Sequence, residues 1–74
     1  MRVRYDPEVD ALYIKLGKQK PEGVIEISMG VNLDTTADDK IVGIEILNAS
    51  KRMSIKTIFS YELELDKKMI QKTA

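Results

Sequence analysis

The sequence predicts a small α+β domain: an antiparallel meander of about four strands, with one short helix toward the C-terminus and a fifth strand as a further option. Three observations predict it. "VIEIS", "VNLD" and "IVGIEIL" are β-branched and alternate apolar with polar residues, the pattern of half-buried strands. "ALYIKL" alternates in the same way directly after a turn opener, Asp6-Pro7-Glu8. Beyond the last of these strands, "NASKRMSIKTIF" spaces Met53, Ile55, Ile58 and Phe59 as a moderate amphipathic helix, and a one-sided sheet needs a helix to cover its apolar face.

The first element is the most contested. Residues 6–17, "DPEVDALYIKLG", carry a good helix start: Asp6 as N-cap, Pro7 at N1, Glu8 in the first turn. Val9, Leu12, Tyr13 and Leu16 then follow helical spacing. A helix leaves Ile14 off that stripe, whereas a strand places Leu12, Ile14 and Leu16 on one face. The strand-rich remainder decides for a hairpin, with "RVRY" as the first strand and "ALYIKL" as the second. A calcium loop fails in both available frames. The frame from Asp6 has Ala11 and Gly17 where Gly and Glu belong, and the frame from Asp34 has Asp39 in place of the central Gly.

"GKQKPEG" is a polar loop between Gly17 and Gly23. Residues 24–34 then read as one long strand interrupted at Gly30, where a lone glycine suggests a bulge or a close backbone approach. "TTADDK" is a turn and "IVGIEIL" returns as a strand. Asn48 is the candidate N-cap of the helix. "SYELELD" alternates again and reads as a short strand, with helical continuation as the alternative; "KKMIQKTA" reads as a frayed end.

The 74 residues form a single domain, 1–74. A chain this short buries only about 60% of its unfolded surface. It contains neither cysteine nor histidine, so disulfides and zinc sites do not supplement the core; metal and cofactor are both expected to be none. Oligomerisation is the remaining source of stability, and a homodimer is the expectation. No apolar run reaches the roughly 20 residues that span a bilayer, and "MRVRYDPEVD" lacks the apolar core of a secretory signal. A cytoplasmic protein is expected. Net charge is zero, from 12 basic and 12 acidic residues. The placement is uneven: residues 31–50 are acidic, with Asp34, Asp38, Asp39 and Glu45 against Lys40, and residues 51–74 are basic.

With the strands placed, the sequence resembles the domain of unknown function 2283 family of small prokaryotic proteins. The resemblance rests on Tyr5-Asp6-Pro7-Glu8, Asp10-Ala11-Leu12-Tyr13-Ile14, Val42-Gly43-Ile44-Glu45-Ile46-Leu47 and Ala49-Ser50, with Asp34 where the family's third strand ends in an acid. It covers residues 2–53. Asn48 departs from the family, which more often has Asp there. The resemblance implies a compact sheet-rich protein with no established activity. Because some members are encoded beside putative toxins, it also implies antitoxin-like binding of a protein partner.

Without histidine or cysteine, the commonest general base and nucleophile are missing. Asp6 and Asp10 bracket a turn and could act as paired acids, but turn capping is the stronger reading. Glu45 shares a strand face with Ile41, Gly43 and Leu47, and a surface pairing with Arg2 or Arg4 is expected. Asp6, Asp10 and Glu45 are therefore the catalytic candidates of a secondary reading, a small hydrolase or metal-dependent enzyme. The primary reading is a protein–protein association module, with Tyr13, Gly43 and Leu47 as interface candidates on the second sheet face. Tyr5, Tyr13 and Tyr61 read as half-buried sheet residues. Basic residues do not interleave with them, which disfavours nucleic-acid binding; Lys51, Arg52 and Lys56 are the basic cluster that a third and weakest reading, nucleic-acid binding, would use.

Overall fold

The computed structural model describes residues 1–60 and 62–64. Five strands, β1 (Arg2–Asp6), β2 (Ala11–Lys15), β3 (Gly23–Ser28), β4 (Val31–Thr35) and β5 (Ile41–Leu47), are followed by helix α1 (Ala49–Arg52) and a 3₁₀ turn (Ile55–Phe59). All pairings are antiparallel, and the sheet order is β1-β2-β5-β4-β3. The expected class, a small α+β domain with an antiparallel sheet, is the class observed. The hairpin reading of residues 6–17 also holds, with Asp6 opposite Ala11 at the turn.

The strand count rises to five because residues 24–34 are two strands. Gly30 is not a bulge inside one strand; it sits in the turn between β3 and β4 at φ +76°. That is the left-handed region, where a Cβ is disfavoured. The irregularities in pairing fall elsewhere, between Glu26 and Ser28 and between Asp34 and Thr35. The order also departs from a simple meander: β5 lies in the centre and closes the sheet against β2.

The helix expected over residues 48–59 is shorter than its apolar spacing suggests. Met53 is extended, at φ −154° and ψ 163°, and divides α1 from the 3₁₀ turn. Ile55, Thr57 and Ile58 are β-branched, which weakens helix propagation. Asn48 stands at the N-cap position but is left-handed, with no capping bond from its side chain. Residues 62–64 form no strand. The remainder of the expected strand over "SYELELD", Tyr61 included, and the frayed end lie outside the described residues.

The cross-strand register sorts the side chains into two faces. One apolar row, Val3–Ile14–Ile44–Leu33–Ile25, crosses all five strands. Beside it run Tyr5, Leu12, Ile46 and Val31. Leu12 at 1% exposure, Val42 and Ala49 form the fully buried apolar core. The 3₁₀ turn brings Ile55 and Ile58 to an apolar cleft with Val3, Tyr5 and Pro7. The opposite face carries the row Arg4–Tyr13–Glu45–Asn32–Glu26 and, next to it, Arg2–Lys15–Gly43–Asp34–Val24.

Candidate functional site

Two polar centres are built on this sheet. The first is Asp10, the last residue of the β1–β2 turn, held at φ +53°. Aspartate tolerates this left-handed conformation better than most side chains. Its backbone carbonyl accepts a hydrogen bond from Ala49 N at 3.0 Å. Its carboxylate accepts three more: Tyr5 OH at 2.7 Å, Ser50 N at 3.0 Å and Ser50 Oγ at 2.7 Å. Helix α1 thus takes its N-terminal cap from a turn distant in sequence. The Tyr5 hydroxyl first, and the Ser50 hydroxyl next, hold the Asp10 carboxyl below the ordinary carboxylate range. In return, the carboxylate raises the Tyr5 phenol. The other end of α1 reaches the β3–β4 turn, where the Arg52 guanidinium donates to the Met29 carbonyl. One short helix therefore ties two hairpin turns together.

The second centre lies on the polar face. The Tyr13 hydroxyl donates to Asp34 Oδ2 at 2.6 Å. The side chain reaches from β2 to β4 by crossing over β5, and it does so above Gly43. A Cβ on Gly43 would stand 2.0 Å from the Tyr13 hydroxyl oxygen. Gly43 is thus required for the crossing, and it is buried beneath the ring. The bond to Asp34, with partial burial second, pushes the Tyr13 phenol up to about 12.

The catalytic candidates have separate local roles. Asp6 Oδ1 accepts from Glu8 N at 3.0 Å, a turn-capping bond. Asp10 holds the helix joint. Glu45 accepts from Asn32 Nδ2 at 3.3 Å. The expected pairing of Glu45 with Arg2 or Arg4 does not form: Tyr13 stands between Arg4 and Glu45 in the register. Among the described residues, no group of three or more acidic side chains is placed to hold a metal. Of the interface candidates, Tyr13 and Gly43 pack on each other, and Leu47 is 38% exposed at the end of β5. Sequence reasoning did not pick out Ser50, Asn32 or Asp34 as partners in these centres. Their bonding partners lie between 13 and 40 residues away, and the only available signal was the facing of alternate residues on each strand. Lys51, Arg52 and Lys56, the basic cluster of the nucleic-acid reading, are exposed, with Arg52 committed to the Met29 carbonyl.

No curated protein and no solved structure matches the chain. A family model does: DUF2283, described as a protein of unknown function, matches residues 2–50. The matched span holds Tyr5, Asp10 and Ser50 of the helix joint, together with Tyr13, Asp34 and Gly43 of the crossing. With more than half of its length matched in this way, the chain belongs to the DUF2283 family.

Proposed function

We propose that this protein is a protein–protein association module that works as a homodimer in the prokaryotic cytoplasm. The observation that carries the reading is the apolar row Val3–Ile14–Ile44–Leu33–Ile25. Val3 is 38% exposed and Ile25 48% exposed, and the three residues between them are only half-buried. Strand β3 is exposed along its whole length and also presents Ile27 at 57%. A contiguous apolar surface of this kind marks an interaction site, and β3, at the edge of the sheet among the described residues, adds to it. A two-fold contact would use the same row twice and build a two-layer sheet. The family resemblance adds a second class of partner, a toxin-like protein captured on the same surface.

Sedimentation equilibrium near ten micromolar tests the reading. The expected result is a dimer that Ile25→Lys converts to monomer without changing the far-ultraviolet circular dichroism. A single species of one chain mass would refute it. The competing placement, on the opposite face through Tyr13, Gly43 and Leu47, predicts the reverse sensitivity: Leu47→Lys dissociates the dimer and Ile25→Lys does not. The enzymatic alternative through Asp6, Asp10 and Glu45 has weaker support. Asp10 spends both carboxylate oxygens on Tyr5 and Ser50, and an acid held below its ordinary range is a poor proton donor.

A further inference from the structure

We infer that the polar end of the β1–β2 hairpin is a binding site for a small oligophosphate anion. A cavity of about 470 Å³ is lined there by Arg2, Arg4, Lys15, Lys18, Lys20 and Tyr13, and among the described residues no acidic side chain stands in its wall. Three of the cations come from the sheet and two from the loop that follows β2. The register makes this arrangement unfavourable on its own account. Arg2 lies directly opposite Lys15 on the neighbouring strand, and like charges directly opposite each other destabilise a sheet. Arg4 is two residues along on the same face and adds to the repulsion. None of the five cations has an ion-pair partner among the described residues, where the one salt bridge is Lys40–Asp38. A local conflict that the fold leaves uncompensated is the expected mark of a functional position.

The chemistry of the cavity selects the ligand. Two guanidinium forks and three ammonium groups suit clustered phosphate oxygens. The volume is that of a small-molecule site. An extended nucleic-acid strand fits less well. The same face continues into Glu45, Asp34 and Glu26 on one side, and Asp6 and Glu8 stand at the far end of the hairpin, so a long polyanion would cross acidic surface in either direction. The ligand class is a compact chain of two or more phosphoryl groups, free or carried by a nucleoside.

Isothermal titration calorimetry at low salt, with inorganic tripolyphosphate and ATP as probes, tests the site. The expected result is saturable binding of one anion per chain that weakens as salt is raised. Arg4→Gln and Lys15→Gln should each lower the affinity roughly tenfold or more, the scale of one charge-assisted hydrogen bond. Lys56→Gln, outside the cavity, should leave it unchanged. ATP binding more tightly than tripolyphosphate would assign a nucleotide, and equal affinity would assign the phosphate chain alone. Without ligand, Lys15→Gln should raise the melting temperature by removing the repulsion with Arg2, so loss of binding in that variant cannot come from misfolding. The inference is overturned by absence of saturable binding, by an equal loss with Lys56→Gln, by tighter binding of citrate, or by an oligonucleotide whose affinity grows with its length. It is also overturned if the charge variants dissociate the dimer, because the cavity would then be filled by a second copy.

Discussion

Replacing Gly43 with alanine isolates the contribution of the Tyr13 crossing. The new Cβ would stand 2.0 Å from the Tyr13 hydroxyl oxygen, 2.6 Å from Cζ and 3.1 Å from Cε2. These atoms belong to the end of a flexible side chain, so the ring swings away and the backbone holds. The movement breaks the 2.6 Å bond to Asp34. A hydrogen bond to a charged group contributes about 1.5–3 kcal/mol; partial exposure of both partners reduces that to roughly 1–2 kcal/mol. Alanine in a strand returns about 0.5–1 kcal/mol relative to glycine. The net expectation is a loss of about 1 kcal/mol by urea unfolding at neutral pH, within the range where a midpoint shift is clear. The Tyr13 phenol should fall from about 12 toward its ordinary 10.0, followed by tyrosine Cζ chemical shifts. The sign of the pH dependence follows from the raised value in the folded state. The bond stabilises fully below about pH 10 and its contribution disappears as pH rises through about 12. The gap between wild type and Gly43→Ala should therefore close across that interval and then reverse by the alanine gain alone. On a Tyr13→Phe background, where the bond is already absent, Gly43→Ala should cost markedly less, a coupling of about 1 kcal/mol in the double-mutant cycle. A Gly43→Ala protein that keeps Tyr13 near 12 and unfolds at the wild-type urea concentration would refute this account.

Other perturbations address the remaining elements. Asp10→Asn should lower the melting temperature at neutral pH, because one amide oxygen cannot accept from Tyr5, Ser50 N and Ser50 Oγ together. The Asp10 carboxyl is held below its ordinary 3.8 when folded, so its contribution is present above that value and lost as pH falls through the depressed one; melting curves of the two proteins should converge in strong acid. Leu12→Ala should destabilise by about 2–5 kcal/mol in chemical denaturation, the range for a buried leucine. Ile14→Asp should abolish the folded circular dichroism signal, whereas Lys15→Asp should keep it, since the two residues face opposite sides of the sheet. Gly30→Ala should cost about 1 kcal/mol in the same assay from its left-handed φ alone; its Cβ would meet Leu47 Cβ at an ordinary 3.5 Å.

Local alternation carried the reading of the sheet well where strands were short and bounded by strong turn residues. Asp6-Pro7 announced the first hairpin, and "IVGIEIL" correctly divided Val42, Ile44 and Ile46 from Gly43 and Glu45. It failed at "ISMGVN" because apolar residues continue across Gly30 and Met-Gly is not a strong turn pair. A strand of 11 residues, about twice the common length, was the signal available against it. The helix departs from its expected length and cap for a different reason. Asn48 has the residue type of a cap, but the capping oxygen comes from Asp10, and a bond spanning 40 residues leaves no trace in a local window. The face shared by Tyr13, Gly43 and Glu45 was legible from spacing. That the ring of Tyr13 would itself occupy the space above Gly43 required the diagonal geometry of three neighbouring strands.

The bonds made by Asp10 bear on strand registration. Alternation rejects a one-residue slip between β2 and β5, since every side chain would change face. It does not reject a two-residue slip. That slip would keep leucine and isoleucine inward and leave the ladder hydrogen-bonded. Ala11 pairs with Leu47 at the end of this ladder, and the next residues on either side, Asp10 and the start of α1, are fastened by four hydrogen bonds, three of them to Ala49 and Ser50. A two-residue displacement would carry Ser50 some 6–7 Å along the strand axis, out of reach of the carboxylate, and leave the first amides of α1 unpaired. The joint therefore works as a detent, selecting one alignment among those the hydrophobic pattern treats as equal. Such selection is worth most in a five-stranded sheet whose central strand is the last of the described strands to arrive in the chain.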